Sequence, residues 1–350
     1  MVPIEICENP AHTVGTNGEF PTLQAALDSP FVGDQEVILV FDGVYDISSG
    51  VVVTKRVTIC GQTRDGTIFI NNSLSSTSYM FLINADGVNL IRFTIRSTSE
   101  STSHWAVVVT GNGVPESRVM GFMMRRLGVY YVANGLSLRA CIYEISDSWF
   151  QQDGSQPETA AISIKSSCDV CTLINNGFIM RSSGISRVIH LTKSSPPNPV
   201  DRYDGLIYVA GNTVYDRTTS FFFQDNFVGS VNGFSIVFVS NSVNEQVSFA
   251  EASASTSLDG DLYERIELVN NKASGHGGRG LFTINGPPVQ IDPLRRFRSS
   301  LYLPIESSGN MLTEGCRIDP PFIEAPGSIG CVATFNSEVF DPASCAVNLT

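Results

Sequence analysis

Gripping an acidic polymer takes guanidinium groups, which bind carboxylates or sulfates through paired hydrogen bonds, and amide side chains, which bond hydroxyls. This chain offers both at a regular interval. Ser97, Arg126, Gln152, Arg181, Arg217, Gln246 and His276 each stand five positions after a small or polar residue that separates two apolar runs. Arg125, Gln151 and Asp153 widen the series in its middle. If the repeating units stack at the ~4.8 Å spacing of parallel strands, the seven side chains make one lateral polar stripe roughly 29 Å long. Arg126, Gln152, Arg181, Arg217, Gln246 and His276 are therefore the candidate ligand-binding residues, and an extended polysaccharide is the partner that matches them. An ordinary solvated surface on a stacked repeat would show the same spacing, so both readings stay open. Catalysis would need converging acids as well. Asp147 and Asp153 are the one pair on offer, and with Gln152 they are the candidate catalytic residues.

The elements that would carry these side chains are short strands. Phe20, Leu23 and Leu27 have the spacing of one apolar helical face, with Pro21 suited to a first turn, and they predict the chain's one helix over 20–28. From Glu36 onward, β-branched and aromatic runs such as Val37 to Phe41 and Val57 to Ile59 alternate with Gly, Asp, Ser and Asn turns. They repeat with a period near 30. Gly61, Arg92, Gly121, Asp147, Asn176, Asn212, Asn241, Asn271 and Asn310 align as turn residues, separated by 31, 29, 26, 29, 36, 29, 30 and 39 positions, with apolar columns two residues to either side. A fixed period of this length predicts an all-β, single-stranded right-handed parallel β-helix of about nine coils. Asn suits its corners twice, because it tolerates left-handed backbone and its amide can bond the equivalent amide one coil away. A β-sandwich would place turns every 8 to 12 residues with no 30-residue register. Trp149 and Phe178 fall in one inward column and read as core. The expected organisation is an amino-terminal segment with a capping helix (1–35), the β-helix (36–315) and an irregular carboxy-terminal cap (316–350). Proline-containing insertions are expected at Ser194 to Pro199 and Asn285 to Pro288.

Composition narrows the partners. Twenty-two Lys and Arg against 34 Asp and Glu give a net charge of −12, which argues against a phosphate-backbone binder, so no nucleic acid is expected. No run approaches the ~18 apolar residues of a membrane span, and the start lacks the basic and apolar regions of a signal peptide. The eight cysteines are too few for a disulfide-built scaffold. Cys168 and Cys171 have the spacing of half a zinc or redox site, but no second pair follows at ligand spacing. No metal and no cofactor is expected, and buried or pairing thiols are the simpler reading.

Phe20 to Asp28, Val37 to Tyr45 with its Gly43-x-Tyr45 turn, Val51 to Val53 and Val57 to Gly61 together resemble the opening of the pectin lyase superfamily. In that superfamily a helix plugs the open end of a β-helix. Within it, the opening is most similar to pectin methylesterase, whose site uses two Asp, an Arg and Gln side chains as nucleophile, acid/base partner and oxyanion donors. Gln152-Asp153 matches that family's Gln-Asp pair, and Gln224-Asp225 is a poorer match. Gly154-Ser155 departs from the family's Thr-Leu, and its Gly-Arg-Pro-Trp segment is absent. Gly275-His276-Gly277 resembles a polygalacturonase element but stands without the accompanying Arg-x-Lys. The resemblance thus implies fold more than activity. The expected function is a β-helical structural or surface protein (cell-wall, extracellular or virion), which contacts polysaccharide through its side and can self-associate. The alternative is an esterase or lyase of the same fold.

Overall fold

The computed structural model describes residues 4–71, 78–110, 119–154, 156, 158–164, 170–181, 185–191, 205–215, 218–224, 234–243, 246–253, 263–274, 282–285, 305–308, 311–313 and 323–324. The β-branched runs form three sheets of 11, 10 and 10 strands in which every pairing is parallel and each strand neighbours the strand one coil away. Sheet A runs from His12–Val14 to Ile305–Ser308, sheet B from Gly43–Asp46 to Met311–Thr313, and sheet C from Val51–Val53 to Ile323–Glu324. The chain passes from A to B to C and back to A, winding the right-handed parallel β-helix that the 30-residue period predicts. Its interior is one continuous apolar column from Val14 to Val243. Aromatic rings fill it in places: Phe69 meets Phe81 and Phe93 edge-on, each at 5.2 Å, and Phe150 stacks on Phe178 at 5.1 Å.

The turn from sheet A to sheet B sets the geometry. Arg92, Arg126, Asp147, Asn175, Gly211, Ser240 and Asn270 all have φ between 51° and 64°. They stand in register, since the residues just before them pair in the order Ile91, Arg125, Ser146, Ile174, Ala210, Val239 and Val269. In each of these seven coils one left-handed residue reverses the chain sharply. The next residue then builds the predicted ladder. Asn176, Asn212, Asn241 and Asn271 are each at most 1% exposed. Each of the first three donates its side-chain amide to the Oδ1 of the next at 2.9–3.0 Å. Each Oδ1 from Asn176 on also accepts the backbone N–H of the preceding coil, from Ser148, Asn176, Asn212 and Asn241. Ser148 continues the column with a hydroxyl that accepts from the Leu127 N–H at 3.1 Å.

The sequence alignment had merged two adjacent columns. Arg92 and Asp147 are left-handed corners, whereas Asn176 and its successors lie one residue beyond the corner. Gly121 is neither: it has φ 74° in a bulge of strand Val119–Arg125, five residues before the true corner at Arg126. Because side chains alternate across a strand, an error of one residue exchanges the two faces. Trp149 consequently pairs with Gly177, not Phe178, and points outward, while Phe150 pairs with Phe178 inside.

The amino-terminal segment closes the first coil as expected. The helix is Leu23–Asp28, shorter than the expected 20–28, because Thr22 is the N-cap and its Oγ accepts from the Ala25 N–H. Leu23, Ala26 and Leu27 cover the open end of the core, and the Gln24 side chain accepts the edge-strand N–H of Val52 at 2.9 Å. A disulfide between Cys7 and Cys60 fastens the short 3-10 helix Ile4–Glu8 to sheet A. Cys171 is also disulfide-bonded, which removes it as a metal ligand; Cys168 lies outside the described residues. At the other end, Met311–Thr313 and Ile323–Glu324 still pair in sheets B and C, so the coils extend past 315, into the segment expected to be an irregular cap. The expected insertion at 194–199 and the remainder of 325–350 lie outside the described residues.

Two consequences are measurable. Asn241→Ala strands buried amide groups in the coils on both sides, so urea denaturation should show a loss of about 3 kcal/mol. A loss below about 1 kcal/mol would mean that the ladder is not what secures the corners. Near the amino terminus, His12 sits between two acids, with Nδ1 2.8 Å from Glu19 and Nε2 3.1 Å from Glu36. The Glu19 hydrogen bond raises the His12 pKa against the opposing effect of burial. A raised folded pKa stabilises fully below the ordinary imidazole value, and that contribution disappears as pH rises through the raised value. The melting-temperature gap between the wild type and His12→Gln should therefore close as pH rises above the ordinary imidazole value and through the raised one, and a gap that stays constant contradicts the assignment.

Candidate functional site

Correct register brings together a surface that the sequence did not single out. On the outer face of sheet B, alternation turns Thr94, Gly128, Trp149, Gly177 and Thr213 outward in one row. Two residues on, Arg96, Tyr130, Gln151 and Ile179 form a second row, and Tyr215 continues it beside them. Five strands at the usual spacing make this row about 19 Å long. Trp149 is the one large side chain of the first row, with a glycine on the strand to either side. A Cβ on Gly177 would collide with the Cε3 edge of the indole, so the ring lies directly over backbone. The Tyr215 ring, 55% exposed, lies 5.3 Å from it at 39°. Further along, the Arg96 guanidinium is 5.1 Å from the Tyr130 ring centre, a cation–π contact that orients both.

Polar groups complete one edge of this face. Gln151 donates to Asp153 Oδ1 at 2.6 Å, and Arg181 Nη1 approaches the same oxygen at 3.8 Å. The Asp153 and Arg181 side chains are 39% and 54% exposed, so the pair is solvated and loosely held. The face therefore offers flat rings, a guanidinium on its first coil and another on its fourth, and an amide between them, all accessible from one side. That chemistry binds the C–H faces of pyranose rings and their hydroxyl or acidic substituents.

The sequence-derived candidates do not form one stripe. Arg126 is an exposed left-handed corner at the A–B edge, displaced because its alignment anchor, Gly121, belongs to the bulge. Gln152 is 0% exposed and points inward between Tyr131 and the Met180 column, with neither amide atom hydrogen-bonded. Next to it the Tyr131 hydroxyl donates to Met180 Sδ at 3.3 Å, and burial pushes that phenol well above its usual pKa. Ser97 is also buried. Arg181 is outward because its anchor was counted from the ladder, six residues past the corner instead of five. Gln246 opens strand Gln246–Ser253 of sheet C, a different sheet from Gln152. Arg217 and His276 lie outside the described residues.

Nor do the two candidate acids meet. Asp147 is a corner residue whose Oδ2 is 3.2 Å from Arg125 Nε and whose Oδ1 accepts weakly from Asn175 at 3.5 Å. Asp153 follows six residues later at the opposite edge of sheet B, roughly 20 Å away along an extended strand. Carboxylates that share the hydrolysis of one glycosidic bond stand about 5–10 Å apart. No group of His, Cys, Asp and Glu among the described residues could hold a metal ion. No helix among them is long and apolar enough to cross a membrane.

The glycines on either side of Trp149 were the available clue to the aromatic face. An outward tryptophan needs room that neighbouring Cβ atoms would occupy, and Gly128 and Gly177 leave it.

No family model matches the chain, and no curated protein matches it. Solved structures do. A pectin methylesterase from carrot is 12% identical with a TM-score of 0.48, over 82% of this chain and 91% of that one. A DFA-IIIase from Arthrobacter chlorophenolicus A6, solved in complex with GF2, is 12% identical with a TM-score of 0.42, over 93% of this chain and 90% of that one. A pectin methylesterase from Yersinia enterocolitica is 13% identical with a TM-score of 0.38, over 78% and 92%. Three parallel sheets, left-handed corner residues from Arg92 to Asn270, an asparagine ladder and a helix over the open end give this chain a right-handed parallel β-helix fold.

Proposed function

We propose that the protein is a β-helical surface protein that contacts polysaccharide through the outer face of sheet B, without catalysing its breakdown. The observation that carries this reading is the Trp149 indole laid over Gly177 and flanked by the exposed Tyr215 ring. Rings fixed in this way offer large apolar area at little entropic cost, which suits a ligand whose own faces are weakly apolar. Arg96 and Arg181, on the first and fourth coils of the face, favour acidic substituents, in a chain whose net charge of −12 would otherwise repel them. The roughly 20 Å between Asp147 and Asp153 supports binding over acid-pair catalysis. The Cys7–Cys60 bond agrees with an oxidising setting such as a cell surface, extracellular matrix or virion.

Binding to immobilised acidic and neutral polysaccharides tests the reading. Trp149→Ala and Tyr215→Ala should each weaken binding about 10-fold or more, as loss of an aromatic anchor does at other interfaces. Gly177→Ala should act like Trp149→Ala, because its new methyl displaces the indole. Replacing Arg96 and Arg181 together with Gln should weaken binding to acidic polymers alone and flatten its salt dependence. Unchanged affinity in Trp149→Ala would remove the aromatic face from the account. Turnover of any of these polymers that vanishes in Asp153→Asn would replace binding with the esterase or lyase alternative.

A further inference from the structure

The outer face of sheet A carries a second site, unconnected with the aromatic face. Strand Val119–Arg125 bulges where its pairing to Ala140–Ser146 shifts register at Met120 and Phe122. The bulge lifts Gly121, at φ 74°, opposite Gly87, at φ 63°; a Cβ on Gly121 would sit 3.7 Å from the Gly87 Cα. Two hydrogen bonds lock the arrangement: Met120 N–H donates to Asp86 Oδ1, and Gly87 N–H donates to the Met120 carbonyl, each at 2.7 Å. Without side chains at the two glycines, a pocket of about 500 Å³ opens over the sheet. Met120, Met123 and Ile142 line it together with the polar side chains of Arg56, Asp86 and Asn89.

Met120 and Ile142 are 42% and 41% exposed, an apolar surface with no covering among the described residues. The Arg56 stem lies against Gly87, where any Cβ would collide with its Nε, so the guanidinium is held at the pocket. It forms no ion pair among the described residues, although the chain is acidic overall. Asn89 has committed its Nδ2 to the Thr58 hydroxyl at 3.0 Å, which leaves its Oδ1 to accept from a ligand. A volume of this size suits a small molecule.

We propose that this pocket binds a small monocarboxylate with a compact, partly apolar body. Its carboxylate takes paired hydrogen bonds from Arg56, a hydroxyl donates to Asn89, and the body packs on Met120, Met123 and Ile142, whose thioethers adapt to its shape. Asp86, which also lines the pocket, opposes negative charge, so the ligand carries a single carboxylate placed on Arg56. A uronic acid and a short aliphatic acid share this chemistry.

Ligand-observed NMR with glucuronate, hexanoate and glucose distinguishes the sources. At least one of the two carboxylates should bind the wild type, at the millimolar level or tighter, and glucose should bind more weakly than glucuronate. Tighter glucuronate binding assigns the site to an acidic sugar, and tighter hexanoate binding to an aliphatic acid. Arg56→Gln should weaken the better ligand about 10-fold or more. Ile142→Trp should fill the pocket and abolish binding, while Trp149→Ala should leave it unchanged, which separates this site from the polysaccharide face. No saturation transfer from either carboxylate at tens of millimolar, or equal binding by wild type and Arg56→Gln with both variants folded by circular dichroism, overturns the proposal.

Discussion

The structure depends on one constraint: every coil must turn from sheet A into sheet B at the same height. From Arg92 to Asn270 a single left-handed residue makes that turn, and from Ser148 on the following side chain ties it to a neighbouring turn. Where that side chain is asparagine, its oxygen accepts two N–H groups from the preceding coil while its own amide reaches the next oxygen and a backbone carbonyl. These groups are buried, so leaving them unpaired would cost more than the bonds themselves contribute. The ladder therefore acts mainly by excluding other registers. Corner identity is free as long as φ stays positive, which explains how Arg, Asp, Asn, Ser and Gly all serve there.

Once the corners are fixed, strand alternation decides which residues meet solvent. The aromatic face follows from this, since Trp149 is two residues past a corner and Tyr130 is four past the corner one coil earlier. The same alternation sends Phe150 and Phe178 into the stack and takes Gln152 with them. Sheet B thus separates a packed interior from a flat exterior across the width of one strand. The bulge at Met120–Phe122 is the complementary case, where a break in alternation opens a hollow on sheet A.

Much of the fold was legible because the forces behind it repeat. Stacked burial produced the 30-residue period, the asparagines marked the corners to within one residue, and Phe20 to Asp28 showed the capping helix. What was not legible lay in single-residue details. Asp147 and Asn176 are both small polar turn residues, so nothing in their chemistry showed that one is the corner and the other the ladder. Gly121 imitates a turn while belonging to a bulge. The first offset turned Trp149 inward and Gln152 outward on paper, the reverse of their places in the structure, and the second displaced Arg126. The long-range pairing of Trp149 with Tyr215 needs the intervening coil in register, which local pattern does not supply.

The most direct measurement is a crystal structure of the protein soaked with an acidic oligosaccharide. The account predicts density for sugar rings lying on Trp149 and Tyr215 and continuing along sheet B toward Arg96 or Arg181. Ordered saccharide on the outer face of sheet C, with the Trp149 surface bare, would contradict it.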